Sequence, residues 1–278
     1  MFQLNSSKKG MGKRQLPGAY HLAVSTAYIA LTSLIAFWLR KIVNRFFPEN
    51  TLAKMLILEL IAAGELCACC FELVIVADNF GIGTYAIFLF LLTIWWSLNW
   101  GDASACPYTH LEEVVEGNVN VLVAGAKIFA EMAGGLLIFK YIQFLWQLEI
   151  SSTHKGRAFE KCSADLQVPA VLGAVIEGIA TCLCRLASRA IGEVGPKYAV
   201  AYDSFVGTSL VVAAFDYSGG YFNPVLASAL KFGCKGHTAS EHVFVYWIGA
   251  CTGAILSVFL YQNSMMKGII NRFKPKVD

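Results

Sequence analysis

The chain has little charge. Only 15% of its 278 residues are Asp, Glu, Lys or Arg, whereas a soluble domain carries about 25%. Its formal net charge of +3 is too small to indicate a nucleic-acid partner. Proline is scarce, with 7 residues against 24 glycines, a balance typical of closely packed membrane helices, because small side chains let helix backbones approach. Apolar side chains dominate instead, at 56% of all residues.

Patterns typical of catalysis and metal binding are also missing from the sequence. It contains no nucleophile–base pair and no phosphate-binding loop, so we predict that the protein is not an enzyme and needs no cofactor. The five histidines have no paired metal-ligand spacing, and the run 67–70 (Cys-Ala-Cys-Cys) has no matching second pair, so no metal site is predicted. His110 is the one histidine close to a motif, and a gating role for it is kept as an alternative.

Seven apolar segments are long enough, or nearly so, to cross a bilayer, which needs about 20 residues. They are Tyr20–Leu39, Met55–Val76, Tyr85–Trp100, Val121–Leu148, Val168–Ala190, Tyr198–Phe215 and Val243–Tyr261. Two further stretches, which begin at Pro107 and Pro224, are too short to span. We predict that they are half-helices, since proline is favoured at the first helical position and Asn223 is a good N-cap.

The chain is duplicated. The tetrapeptides Ala-Cys-Pro-Tyr at 105–108 and Phe-Asn-Pro-Val at 222–225 each follow an apolar segment. Cys106 lies 47 residues after Glu59, and Asn223 lies 46 residues after Glu177. A buried carboxylate and a proline-led helix start that recur once per half indicate an inverted-repeat membrane channel or transporter.

The repeat sets the predicted domain organisation. Each unit has three spanning helices and one re-entrant half-helix, at about 55–148 and 168–262, which together form a channel domain of residues 55–262. Residues 1–54 carry an extra N-terminal apolar helix, and residues 263–278 form a basic tail. The fold class predicted is therefore an all-α membrane protein.

Basic residues cluster on one side of this topology if the six repeat helices alternate in direction. The positive-inside rule assigns that side to the cytosol. The residues are Arg40, Lys41, Arg45, Lys54, Arg185, Arg189, Lys267, Arg272, Lys274 and Lys276. The basic residues at 8, 9, 13 and 14 conflict with this orientation if the extra helix spans, and the sequon Asn5-Ser6-Ser7 is usable only on the lumenal side. Whether Tyr20–Leu39 crosses the membrane therefore stays open at this stage.

Charged residues inside the apolar runs are expensive in a membrane and so are expected to be paired or functional. Lys127 and Glu131 are four apart on one helix face, and we predict that they pair. Glu65, Glu72 and Lys140 are expected to extend towards helix ends.

Several motifs resemble those of one family, the aquaporins. The segment 216–225 (Asp-Tyr-Ser-Gly-Gly-Tyr-Phe-Asn-Pro-Val) resembles their second pore loop, and 246–250 (Tyr-Trp-Ile-Gly-Ala) resembles the start of their last helix. The first motif differs, because Cys-Pro-Tyr stands where Asn-Pro-Ala is usual. This difference, the cysteine-rich run 67–70 and the extra N-terminal segment resemble the superaquaporins, the subfamily that contains animal aquaporins eleven and twelve.

The resemblance implies a pore at which the two half-helices meet by their N-terminal ends and repel cations. The pore motifs it assigns are Cys106, Pro107, Tyr108, Asn223, Pro224 and Val225. Asn223 can donate to passing water, whereas Cys106 offers only a weak S–H donor. The resemblance gives Glu59 and Glu177 the role of accepting hydrogen bonds from the re-entrant loops. A proton relay through these two carboxylates is the alternative.

By the same resemblance, four residues form the selectivity filter: Ala86, Val211, Gly220 and Leu226. The family has an arginine where this chain has Leu226. All four residues are small or apolar, so the filter is expected to be wider than usual and poor in hydrogen bonds, which favours larger neutral solutes or a poorly conducting pore.

We therefore predict a passive channel for water and small neutral solutes such as glycerol, urea or hydrogen peroxide. The resemblance implies a homotetramer embedded in a lipid bilayer, most readily that of the endoplasmic reticulum, with the plasma membrane as the alternative. Two other hypotheses stay open: a non-conducting membrane scaffold, and a proton-coupled transporter that uses Glu59 and Glu177.

Overall fold

The computed structural model describes residues 18–274 and shows a helical protein. The basic residues at 8, 9, 13 and 14, the sequon at Asn5 and Lys276 lie outside the described residues. In the described part the α-helices are α1 Ala19–Phe46, α2 Leu52–Phe80, α3 Ile82–Asn99, α4 Pro107–Val115, α5 Val121–Leu137, α6 Phe139–Gln147, α7 Ala170–Val194, α8 Ala199–Ala214, α9 Pro224–Lys231, α10 Ala239–His242, α11 Ala250–Gln262 and α12 Ser264–Asn271. A π-helical stretch, Val243–Gly249, joins α10 to α11.

Six helical stretches in residues 18–274 are long and apolar enough to cross a membrane. They are α1, α2, α3, α5 with α6 (Val121–Gln147), α7, and α10 through α11 (Ala239–Gln262). The seventh apolar helix, α8, has 16 residues and rises about 24 Å, slightly less than a hydrocarbon core of about 30 Å. All seven predicted apolar segments are helical, which confirms the all-α membrane fold.

The order of elements repeats. Helices α2, α3 and α4 and the α5–α6 pair are followed by α7, α8 and α9 and the α10–α11 stretch in the same sequence. Two close helix crossings also repeat. A methyl group on Gly134 of α5 would overlap the backbone oxygen of Leu60 on α2, and one on Gly253 of α11 would overlap that of Gly178 on α7. Each crossing therefore needs glycine, because the two backbones touch.

Helix α1 lies outside the repeat and packs along α2. The Tyr20 hydroxyl, at its start, donates to the carbonyl of Ile150 at 3.2 Å, and the Tyr28 hydroxyl donates to that of Leu145 at 3.1 Å. These contacts lie where α6 ends, whereas α1 itself ends next to the start of α2. Helix α1 thus runs the length of the bundle and begins at the opposite end from the start of α2.

The intramembrane glutamates on α2 are buried rather than extended towards helix ends, so that prediction is wrong for Glu65 and Glu72. Glu65 accepts from the Arg40 guanidinium at 2.5 Å and from the indoles of Trp95 and Trp100 at 3.1 and 2.9 Å. Glu72 contacts the His154 imidazole at 2.7 Å and the Trp146 indole at 2.9 Å. Burial is possible because each carboxylate has charged or N–H partners from neighbouring segments.

A disulfide joins the loop before α7 to the loop after α9, between Cys162 and Cys234. The Lys231 ammonium strengthens the same junction by donating to the Asp165 carboxylate at 2.8 Å and the Ser163 carbonyl at 3.1 Å. No sequence pattern predicts this pairing, since the two cysteines lie 72 residues apart in separate loops.

Candidate functional site: the meeting point of two half-helices

The half-helices α4 and α9 begin in the same way. Cys106 and Asn223 are extended N-caps with φ of −147° and −146°, and each is followed by proline. The residue before each cap, Ala105 or Phe222, has a left-handed φ of 52° or 47°. Neither residue is glycine, so both positions carry backbone strain that the surrounding structure must hold.

Two buried glutamates hold these strained turns. Glu59 on α2 accepts from the Ser104 and Ala105 N–H groups, which lie 3.0 and 2.9 Å from Oε2. Glu177 on α7 accepts from the Phe222 N–H at 2.7 Å and the Tyr221 N–H at 3.2 Å. The Ser218 hydroxyl donates to Glu177 as well, at 2.6 Å. The Ala105, Tyr221 and Phe222 N–H groups are buried, so a missing acceptor would cost the full desolvation penalty of each.

The two half-helices meet through Asn223. Its Oδ1 accepts from the Val225 and Leu226 N–H groups at 3.0 and 3.2 Å, and its Nδ2 donates to the Ala105 carbonyl at 2.8 Å. The second proton of this amide group makes no hydrogen bond within residues 18–274. Cys106 makes no capping bond among the described residues. Both helix N-termini thus point at one place, where their partial positive charges disfavour cations.

A cavity of ≈ 350 Å³ lies beside the second re-entrant loop, at the end of the molecule that carries the disulfide. Of the four residues assigned to the filter, Gly220 and Leu226 line it. Val211 lies directly behind Gly220, where a methyl group on the glycine would come within 2.6 Å of the Val211 backbone oxygen. The α3 residue that lines the cavity is Tyr85, not Ala86.

Three acidic residues also line this cavity: Asp78, Asp165 and Asp216. Arg157 donates to Asp78 and, at 2.7 Å, to Glu160. Burial lowers the pKa of the Arg157 guanidinium, but its hydrogen bonds to these carboxylates outweigh burial and raise that pKa above its ordinary value. Arg157 therefore stays charged beside Asp78, which lines the cavity.

Two arginines of α7 bind the first half-helix, α4. Arg185 on α7 binds the buried Glu112 of α4 in a bidentate manner at 2.9 and 2.6 Å, and Arg189 adds a third bond to Glu112 at 2.9 Å. The Arg185 guanidinium also stands 5.7 Å from the ring of Tyr108, the third residue of the first motif. The sequence had indicated these arginines only as cytosolic charges, and their link to α4 depends on tertiary packing.

A buried cluster beside the first half-helix was missed by the sequence analysis. His110 lies between Glu59 and Glu131, with its Nε2 atom 3.3 and 3.1 Å from their carboxylate oxygens. The prediction that Lys127 pairs with Glu131 is wrong, because Lys127 lies 3.5 Å from Glu113 instead. Glu131 turns to the histidine because α4 packs against its side of α5.

The repeated helices and the two half-helices that meet inside the bundle define a helical membrane channel of the aquaporin fold. Sequence comparisons narrow this class further. The chain is 26% identical to aquaporin-11 of Milnesium tardigradum, over 88% of each chain. It is 27% identical to aquaporin-12 of Mus musculus, over 88% of this chain and 87% of the relative. The predicted resemblance to the superaquaporins is thus confirmed.

Two further comparisons bear on the fold. The chain is 22% identical to human aquaporin-11 over 84% of its length and 87% of the relative. The structure of the aquaglyceroporin from Plasmodium falciparum superposes with a TM-score of 0.51, covering 89% of this chain and 99% of that one at 12% identity. That likeness shows the fold alone. No family model matches the chain.

Proposed function

We propose that this membrane channel conducts water and small neutral solutes, such as glycerol, urea or hydrogen peroxide, passively down their gradients. The observation that carries the proposal is the meeting of α4 and α9, where Asn223 is held by its Oδ1 and still has an amide proton for a passing solute. A fixed donor between two positive helix ends favours neutral hydrogen-bonding molecules over cations.

Two residues assigned to the filter favour a relaxed solute preference. Leu226 and Gly220 present no charge at the position where a filter cation is expected from the resemblance. Three aspartates line the same cavity, but a constriction without a fixed cation rejects carbon-bearing solutes less strongly than one that an arginine narrows.

The contacts of Glu59 and Glu177 favour the channel over a proton-coupled transporter. A relay carboxylate must exchange its proton, but both carboxylates are occupied by backbone N–H groups of strained loops. Protonation would weaken the bonds that hold those loops. The scaffold hypothesis differs only in conductance, which flux measurements decide.

The disulfide supports an orientation. Cys162 and Cys234 lie at the end of the bundle opposite to the basic residues Arg45, Lys54 and Lys267. Disulfides form in oxidising compartments, so we place this end in the lumen of the endoplasmic reticulum or outside the cell, and the basic end in the cytosol. The reticulum membrane and a homotetramer follow from the resemblance to the superaquaporins, and size-exclusion chromatography with light scattering tests the tetramer.

Stopped-flow light scattering on vesicles that contain the purified protein tests the channel. Wild-type vesicles should shrink faster than protein-free vesicles in water, glycerol and urea gradients, and a pH gradient should not change the rates. Asn223→Ala should lower the flux, whereas the exposed Asn118→Ala should not. Flux that required a pH gradient would support the transporter, and wild-type flux equal to that of empty vesicles would support the scaffold.

A further inference from the structure

The buried cluster consists of one side chain from each of three helices. Glu59 comes from α2, His110 from α4 and Glu131 from α5, and one donor atom of each lies within 4.8 Å of the others. All three side chains are at most 2% exposed. The cluster touches the pore motif, since His110 lies one turn after Cys106, but none of its members belongs to the motif.

The spacing of the donor atoms fits a small metal ion. Tetrahedral zinc, with bonds of about 2.0–2.2 Å, places its ligand atoms about 3.3–3.6 Å apart. His110 Nε2 lies 3.3 Å from Glu59 Oε1 and 3.1 Å from Glu131 Oε1. The Ser104 hydroxyl lies beside the cluster, 3.4 Å from both His110 Nε2 and Glu131 Oε1.

Neighbouring side chains and backbone groups orient the donor atoms of the cluster, as hydrogen-bond partners do around the ligands of a metal site. His110 Nδ1 faces the Glu113 carboxylate at 3.2 Å, which leaves Nε2 to face the two glutamates. A carboxylate behind the imidazole is the usual outer partner of a metal-binding histidine. Glu59 Oε2 accepts from the Ser104 and Ala105 N–H groups, and Glu59 Oε1 lies 3.3 Å from His110 and 3.2 Å from the Ser104 N–H.

One polar atom in the cluster is unexplained. Glu131 Oε2 is buried and has no hydrogen-bond partner within residues 18–274, although its side chain is 0% exposed. The nearby ammonium of Lys127 is directed to Glu113 instead. Two carboxylates and one imidazole inside a membrane therefore have too little positive charge around them, and a divalent cation would compensate both carboxylates.

We propose that Glu59, His110 and Glu131 bind one divalent transition-metal ion of the zinc class, with Ser104 or solvent completing the shell. The imidazole and carboxylate donors suit zinc and its neighbours in the first transition row better than they suit calcium. Bound there, the ion joins the first re-entrant loop to three helices and stabilises the turn at Ala105. This holds whichever solute the pore conducts.

The second repeat provides an internal comparison. Glu177 corresponds to Glu59, but Ala227 stands four residues after Asn223, where His110 stands four residues after Cys106. Ala250 lies three residues before its crossing glycine, as Glu131 does before Gly134. We therefore expect one ion per chain, not two.

The test measures the zinc content of the full-length protein, purified in detergent after exposure to Zn²⁺ and dialysis, by mass spectrometry. Wild type should carry about one zinc per chain, and Glu131→Gln and His110→Gln should carry less than about a tenth of that. The control His237→Ala, which removes a loop histidine outside the cluster, should keep the full content. Each variant is compared only after its size-exclusion profile matches that of wild type.

X-ray absorption on the zinc-loaded wild type keeps the proposal testable if the variants fail to fold. The expected first shell contains nitrogen and oxygen at about 2.0–2.1 Å without sulfur at about 2.3 Å, which separates this site from the cysteines. Adding Zn²⁺ should also raise the melting temperature of wild type but not that of Glu131→Gln. Wild type that binds no zinc, sulfur ligation, or zinc kept by both cluster variants would each overturn the proposal.

Discussion

The two repeats share the parts that build a re-entrant loop and differ in the side chains around it. Each has a buried glutamate, a left-handed residue before the cap and a proline at the first helical position. Around them, the first repeat has His110 and Glu131, and the second has the small apolar Ala227 and Ala250. Both halves thus share the residues that the backbone of the loop requires, but not the charged residues packed beside the loop.

The outer surfaces of the repeats differ as well. In the 18-residue apolar stretch of α2, 78% of the residues are buried, whereas in that of its counterpart α7 only 28% are. The difference arises because α1 packs along α2. Glu65 is tolerated inside α2 because α1 brings Arg40 to it. The corresponding position on α7, Leu183, is 49% exposed. An intramembrane charge appears where a neighbouring helix supplies its partner.

The largest effect is expected where both repeats depend on the same backbone contact. In Gly134→Ala and Gly253→Ala the new methyl group would overlap a backbone oxygen of the facing helix, so each variant should lose more than about 4 kcal/mol of stability. The yield of monodisperse protein and the melting temperature in detergent measure the loss.

Gly268→Ala on α12 is the matched control, since its methyl group would meet nothing within 4 Å, and it should melt within a few degrees of wild type. If only one of the crossing variants is damaged, the repeats do not share this contact.

The next effect concerns the loop glutamates. Glu177→Ala leaves two backbone N–H groups and the Ser218 hydroxyl without their acceptor, at about 1–3 kcal/mol for each buried group. We expect lower yield and a lower melting temperature, while Glu49→Ala, which removes an exposed partner of Lys54, should change stability by less than about 1 kcal/mol. A stable Glu177→Ala protein that lost only pH-driven uptake would support the transporter.

A cysteine in the first motif, which has no counterpart in the second, sharpens the comparison further. Cys106 stands where the second repeat has Asn223, so a membrane-permeant mercurial should bind its thiol and remove most of the water flux. Cys106→Ala should abolish the block, and the control Cys184→Ala should retain it. Equal block in wild type and Cys106→Ala would place the reactive thiol elsewhere.

The sequence predicted those features of the fold that local chemistry determines. Apolar segments of spanning length became helices, and the prolines at 107 and 224 start the half-helices because their ring suits the first turn. The spacing of Glu59 and Glu177 from these motifs indicated the duplication, since both carboxylates reach the same loop position. The two spacings agree because each strained turn, at Ala105 or Phe222, needs a carboxylate to accept from its backbone N–H.

The remaining features depend on how the helices pack. Counting without gaps predicted Ala86 for the filter, whereas the α3 residue that lines the cavity is its neighbour Tyr85, and one residue along a helix turns the side chain by about 100°. The disulfide and the His110 cluster join residues from separate elements. Lys127 has two carboxylates within reach of its helix face, and only the packing of α4 decides between them.

The smallest expected effect tests whether Leu226, which carries no charge, lies at the filter as the resemblance implies. Leu226→Arg should narrow the cavity and add donors, so the ratio of glycerol to water flux should fall by about fivefold, equivalent to about 1 kcal/mol in the barrier. Asp165 and Asp216 line the same cavity and offer the new guanidinium opposite charges. The volume-conserving control, Leu226→Met, should leave the ratio unchanged. Stopped-flow measurements on variants with wild-type size-exclusion profiles decide the matter, because a folded Leu226→Arg protein with an unchanged ratio would mean that Leu226 is not at the constriction.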